Sequence, residues 1–267
     1  MNGKERYIAG LKKYHKHLEK VILDEYALTV KYINVMAWGY TTTALYVETD
    51  HGNYTARLSV FSDEKLEMIK KDIGISHKLH NILPTAEHIR NKDGQYYTLF
   101  ENKILRLSKH IEGATAFEMD MEQYIKVIEI LKKIHKAGIL HGDLTPSNLL
   151  LSYGKIVGIL DFEESFNGPV EYDLARTCVF FWYRMDDIPF REVFDVTLKE
   201  YDSPVDEPKF ADFCEKHAQN HSEQVRLHKE VYDSEEFWKE DYEFSRKALK
   251  EISLFKSERL VLFKDQS

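Results

Sequence analysis

The stretch His141-Gly142-Asp143-Leu144-Thr145-Pro146-Ser147-Asn148, followed by Ile159-Leu160-Asp161-Phe162-Glu163, decides the reading of this chain. Asn148 follows Asp143 by five residues, and Asp161 follows Asn148 by 13. The second interval has room for a β-hairpin that turns at residues 152–154, between short apolar runs at 148–151 and 156–160. Such a hairpin returns Asp161 to the side of Asn148. The residue types then suit one chemistry. Asp143 can orient a hydroxyl and accept its proton, while Asn148 and Asp161 offer hard oxygen ligands of the kind that suit Mg²⁺. Pro146 stiffens the loop between them, and His141 reads as a scaffold residue that hydrogen-bonds backbone. An isolated Asp-x-x-x-x-Asn would mean little. The preceding His-Gly, the hairpin and Asp-Phe-Glu make it specific.

This pattern resembles the catalytic loop of kinases, in which an Asp precedes an Asn by five residues and a metal-binding Asp follows. Together with residues 134–140 and Glu171-Tyr172-Asp173-Leu174-Ala175-Arg176, it resembles the aminoglycoside phosphotransferase-like small-molecule kinases, whose relatives include choline kinase, type II homoserine kinase and methylthioribose kinase. The match covers residues 134–176, with a looser agreement in order back to about residue 33. The resemblance implies an α+β, bilobal, protein-kinase-like fold with a small β-rich N-terminal lobe and a larger, mainly helical C-terminal lobe. It implies ATP with Mg²⁺ as cofactors, with GTP as an alternative, and a small-molecule hydroxyl as acceptor. By the same analogy Asp143 is the catalytic base, Asn148 and Asp161 bind metal, and Asp173 is a structural carboxylate. Glu163 replaces the Gly of the protein-kinase Asp-Phe-Gly and is a candidate second metal contact. Asp173 follows Asp161 by only 12 residues, which leaves little room for a segment that cradles a peptide.

Outward from the loop, the hydrophobic period divides the chain. Apolar residues at helical spacing predict a helix over 6–28. Strands follow at 33–38, 44–49 and 54–60, the last two joined at Asp50-His51-Gly52-Asn53. Ser62-Asp63 is a helix cap for a segment running to Leu79. A second strand pair is expected at 95–100 and 103–108, turning at Glu101-Asn102. Beyond Gly113 a helix over 121–137 ends at Gly138, a short strand is expected at 139–140, and the rest after Leu174 reads as helix interrupted at Ser203-Pro204 and Pro208. The division expected is 1–108 for the nucleotide-binding lobe with its leading helix, 109–113 for a connector, and 114–267 for the catalytic and substrate lobe.

In the β-rich portion the agreement loosens. The loop around Thr41, Thr42 and Thr43 takes the place that covers nucleotide phosphates in the family, yet it lacks the glycine-rich pattern. Phosphate contacts there would come from backbone N–H groups and these hydroxyls. Arg57 aligns with the strand lysine that meets the phosphates; arginine keeps the charge and changes the geometry. Its carboxylate partner is Asp72 or, alternatively, Glu67. Ile111 is placed to touch the base. For the acceptor, the candidates are Trp182, Asp186, Asp187, Trp238 and Asp241, aromatic faces and carboxylates that would suit an aminoglycoside-type antibiotic or a quaternary ammonium.

Composition narrows the classes. The chain has 267 residues and a net charge of −8. Acids and bases balance over the first 184 residues, and the last 83 carry 21 acids against 13 bases. A nucleic-acid partner would need basic excess instead. Two cysteines, Cys178 and Cys214, make no disulfide framework and suit a reducing compartment. No apolar run is long enough for a membrane span. A cytoplasmic enzyme with no membrane or nucleic-acid partner is expected; monomer or dimer is not decided. The function read from the chain is phosphoryl transfer to a small-molecule hydroxyl, on an antibiotic or on an amino alcohol, amino acid or sugar. The alternative is a nucleotide-binding pseudokinase or a protein-modifying relative.

Overall fold

A computed structural model describes residues 16–38, 42–116, 118–229 and 234–264. Its contacts divide the chain into two units, residues 1–112 and 113–267. In the first, a helix that includes residues 16–26 (α1) precedes a five-stranded antiparallel sheet. The strands are β1 (Val30–Trp38), β2 (Thr42–Thr49), β3 (Gly52–Val60), β4 (Thr98–Phe100) and β5 (Lys103–Lys109), in the order β1-β2-β3-β5-β4. Alternation sets the faces. Leu45 and Val47 of β2, Ala56 and Leu58 of β3, and Leu105 and Leu107 of β5 form one core with Leu18 and Ile22 of α1. The helix α2 (Asp63–Leu79) packs Ile69 and Ile73 against Ile104 in a second cluster. Its N-cap is Ser62, whose side chain accepts from the Lys65 amide at 3.1 Å.

β5 also carries a charge through this unit. Arg106 donates from Nη1 to Asp72 Oδ2 of α2 at 2.5 Å, and both side chains are almost wholly buried. Arg57 stands directly opposite Arg106 in the β3–β5 register. Glu67 instead pairs with Lys70 on the exposed side of α2.

The second unit opens with β6 (Ala114–Thr115) and the helix α3 (Met121–Lys136). Asp120 and Gln123 close a reciprocal capping box at the start of α3, and Tyr124, Val127, Ile128, Leu131 and Ile134 are buried along it. A 3₁₀ turn (Pro146–Asn148) leads into β7 (Leu149–Ser152) and β8 (Lys155–Ile159), which form a small antiparallel sheet with β6. Tyr153 and Gly154, both at positive φ, make a two-residue turn between them. Four helices follow: α4 (Val170–Trp182), α5 (Phe190–Tyr201), α6 (Glu207–Leu227) and α7 (Glu235–Lys264). α4 is buried on nearly every side. Phe190 and Phe194 of α5, Phe210 of α6 and Phe255 of α7 stack within 6 Å of one another in pairs.

The strands β1, β2 and β3 begin two or three residues before the expected positions, and three other differences have a local reason. The strand expected from 95 begins at Thr98, because the Asn91 side chain accepts from the Gln95 amide and donates to the Tyr97 carbonyl. The strand expected at 139–140 is reduced to one bridge between Leu140 and Phe166, because the next two amides are taken by a carboxylate of α4. Pro208 does not interrupt a helix. It sits in the first turn of α6, where the missing N–H costs no bond.

Asp72→Ala is expected to lower stability by about 3–5 kcal/mol, because it leaves Arg106 charged and buried without its carboxylate. Glu67→Ala should change stability by less than about 0.5 kcal/mol. Urea unfolding of both variants checks this. A second prediction concerns pH. Burial holds the His217 imidazole down at about 4; its Nε2 donates to the Tyr172 carbonyl at 3.0 Å. As pH falls below the ordinary value near 6.5, the unfolded chain binds the proton first. Stability is therefore lost between about 6.5 and 4, by about 2 kcal/mol at pH 5. Wild type should lose that much more than His217→Gln when urea unfolding at pH 7 is repeated at pH 5.

Candidate active site

One face of α4 builds the catalytic loop. Asp173, Arg176 and Thr177 lie at i, i+3 and i+4, so they point the same way. Asp173 is fully buried and accepts from the amides of His141 at 2.6 Å and Gly142 at 2.8 Å. It also meets His135 Nε2 at 3.0 Å, and His135 Nδ1 reaches the Tyr201 hydroxyl at 2.6 Å. Burial alone would push the Asp173 carboxyl up. The His135 hydrogen bond, the neighbouring imidazoles and the Gly142 amide outweigh it and hold the group below its usual range. Thr177 donates from its hydroxyl to the Leu144 carbonyl at 3.1 Å. Arg176 grips Asp143 itself: Nε and Nη2 both donate to Oδ1, at 2.9 and 2.5 Å. Four consecutive loop residues are thus held by three residues of a single helix.

The loop can pass the backbone at Glu164 only because residue 142 is glycine. Its φ is +80°, and a Cβ there would lie 2.1 Å from the Glu164 carbonyl oxygen. His141 is completely buried, with its ring 4.5 Å from that of Phe162, and its Nδ1 accepts from the Asp143 amide at 3.2 Å. Asn148 uses its side-chain amino group twice, donating to the Asp143 carbonyl at 2.9 Å and to Asp143 Oδ2 at 2.8 Å. That leaves the Asn148 amide oxygen as the side-chain atom that could meet a metal ion. The Leu160 amide donates to the Asn148 carbonyl at 2.9 Å, so the β7–β8 ladder sets Asp161 beside Asn148 in the chain fold. Asp161 adopts φ +68°, the left-handed region that Asp tolerates better than most residues. Glu163 is buried two residues on.

Among the described residues no group of three or more His, Cys, Asp or Glu could hold a metal ion. Asn148 and Asp161 instead fit the Mg²⁺ pattern of one or two protein oxygens completed by phosphate and water.

A pocket of about 660 Å³ opens at Asp143. Thr145, Pro146 and Ser147 line it from the loop side, and Arg176, Phe180, Tyr183, Arg184, His221, Asp241 and Phe244 from the helical side. The Tyr183 hydroxyl is buried with no hydrogen-bond partner among the described residues, and burial, helped by Asp241, raises its pKa. Burial also pushes the His221 imidazole down. Of the acceptor candidates, Asp241 lines this pocket. Trp182 does not: its indole donates to the Ile188 carbonyl at 2.8 Å. Trp238 stacks on Tyr242 and donates to the Val225 carbonyl. Asp186 and Asp187 are exposed and lie outside the lining. The indoles serve packing because α4 and α7 each need an aromatic seam against their neighbours.

In the first unit, Asp72 is bonded to Arg106, a residue that the sequence reading passed over. Arg57 is half-buried beside that pair in the ladder. The Thr42 hydroxyl is 2.8 Å from that of Ser59, Thr43 is buried, and Thr41 lies outside the described residues. Ile111 is half-buried and follows His110, whose Nδ1 is 3.0 Å from the Thr55 hydroxyl.

The site and fold have counterparts among known proteins. A family model described as "APH: Phosphotransferase enzyme family" matches residues 77–207, about half of the chain and all of the catalytic loop. A structure of spectinomycin phosphotransferase, in complex with ADP and spectinomycin, superposes with TM-score 0.65 at 11% identity, covering 89% of this chain and 97% of that one. A microcompartment-associated aminopropanol kinase gives 0.57 at 11%, covering 91% and 98%. Mitogen-activated protein kinase 2 of Pneumocystis carinii is 34% identical over 90 residues, 30% of this chain and 22% of that protein. The chain matches about a fifth to a half of the length of such curated relatives. The fold is the α+β, protein-kinase-like one. The family match and these structures together support an aminoglycoside phosphotransferase-like family and a phosphotransferase enzyme.

Gly142→Ala is expected to cost about 3 kcal/mol or more, since left-handed strain adds to a backbone clash that cannot relax. Gly138→Ala is the control: φ is +74° but nothing lies within 4 Å of the added Cβ, so it should cost only about 1 kcal/mol. Thermal unfolding of the two variants compares them.

Proposed function

We propose that the protein transfers the γ-phosphate of ATP, with Mg²⁺, to a hydroxyl of a small molecule held in the pocket at Asp143. The observation that carries this reading is the Asp143 carboxylate, fixed between Arg176 and Asn148 and facing that 660 Å³ pocket. Asp143 aligns the acceptor hydroxyl and takes its proton. The Asn148 amide oxygen and Asp161 hold the metal, with Glu163 as a candidate additional contact. Mg²⁺, when bound, offsets charge on the transferring phosphate. In the first unit Arg57 meets phosphate oxygens, supported by Asp72 and Arg106. Thr41, Thr42 and Thr43 cover the phosphates, and Ile111 packs on the base. GTP remains an alternative donor.

Phe180, Tyr183 and Phe244 give the pocket aromatic faces, and Glu240 and Asp241 add carboxylates. That mixture suits an acceptor bearing amines, either an aminoglycoside-type antibiotic or a small amino alcohol, amino acid or sugar. Spectinomycin and aminopropanol, for which two of the similar enzymes are named, are of this kind. Only eight residues lie between Asp161 and the start of α4, which favours a small acceptor over a peptide despite the protein-kinase matches.

ATP consumption across aminoglycosides, amino alcohols, homoserine, choline and sugars tests the reading. Turnover with one acceptor class is expected, and Asp143→Asn should reduce kcat by about 10²–10⁴-fold with little change in nucleotide affinity. Asp161→Ala should abolish Mg²⁺-dependent nucleotide binding. Near-full turnover by Asp143→Asn would remove Asp143 from the mechanism.

A further inference from the structure

We infer that Arg176 is the positioning residue that decides which oxygen of Asp143 does the chemistry. This rests on the phosphotransferase reading above and concerns a side chain to which the sequence pattern assigns no role. An ionised carboxylate offers about four lone-pair sites, two on each oxygen. Arg176 occupies both sites of Oδ1 with two separate N–H groups. Asn148 occupies one site of Oδ2. One lone pair remains, on Oδ2, next to the side chain proposed to ligate the metal. A hydroxyl that donates to Asp143 must use that position. Arg176 therefore ties off Oδ1, and the acceptor oxygen is delivered beside Asn148.

The fork needs arginine. Two N–H groups of one rigid, planar guanidinium converge on Oδ1, and a lysine ammonium cannot supply that geometry. Arg176 is itself held in place. Its guanidinium lies 5.2 Å from the Phe180 ring centroid, one turn further along α4, and Asp173 one turn earlier fixes the loop backbone that it must reach. The pair is about one-quarter exposed at the pocket wall, where it is accessible to an acceptor and not sealed in the core.

Two experiments on the full chain test this. In protein labelled with ¹⁵N-arginine, the Arg176 Nε–H resonance, assigned by its loss in Arg176→Lys, should be protected from solvent exchange and should shift in Asp143→Asn. A resonance that Asp143→Asn leaves unmoved would overturn the inference, whatever the reaction proves to be. In turnover assays with Mg²⁺, ATP and the acceptor found in the panel, Arg176→Ala should lower kcat by about 100-fold, the scale of a mispositioned reacting group. The KM for ATP should stay within about threefold. Ethylguanidinium should restore part of that kcat in Arg176→Ala and none in Asp143→Asn. A kcat within about threefold of wild type, or a loss that ethylguanidinium cannot repair, also counts against Arg176 as the positioning residue. A wild-type protein that shows the protected resonance but transfers no phosphate would instead sink the proposed reaction and leave the pair standing.

Discussion

The site depends on a buried carboxylate. Asp173 is removed from water, yet it stays ionised because three donors surround it, two loop amides and the His135 imidazole, and the field of His141 adds to them. A buried charge is tolerable only when its lone pairs are used this way. The consequence is mechanical. The amides of His141 and Gly142 are withdrawn from any strand, the chain turns sharply through a glycine with positive φ, and Asp143 emerges at the pocket wall. Arg176 and Thr177, on the same face of α4, then fix the next two residues. Burial of α4 among its neighbours supplies the rigidity, and the loop borrows it.

The same logic recurs in the first unit at smaller scale. Asp72 and Arg106 join α2 to β5 of the sheet through a charge pair that water hardly reaches. Such a pair adds little net stability over a hydrophobic substitute, but removing one member is costly. It fixes the rotation of α2 against β5, and with it the place of Arg57 in the neighbouring strand.

Much of this was legible in the chain, for reasons that differ by element. The hairpins β2–β3 and β7–β8 announced themselves because local turn chemistry sets both register and ends. Ser62 marked the start of α2 because an N-cap is a local event. The loop from His141 to Asn148 was readable because spacing along a hairpin converts directly into proximity. What the sequence hid was long-range. Asp72 found Arg106, 34 residues away, although Arg57 was the nearer match to the family pattern. Trp182 and Trp238 carried the right chemistry for a ligand site, but helix packing claimed their indoles. Arg176 was visible as a letter in Glu171–Arg176, yet its role required knowing that α4 presents positions 173, 176 and 177 on one face. Counting three and four forward from Asp173 would have been signal enough.

The clamp can be measured without substrate. If Asp173 holds the loop as described, the amide hydrogens of His141 and Gly142 exchange with solvent only when the second unit unfolds globally, among the slowest in the chain, and in Asp173→Asn they speed up by orders of magnitude while the α3 amides do not. Exchange of those two amides at the rate of ordinary exposed loops in the wild-type protein would contradict the account.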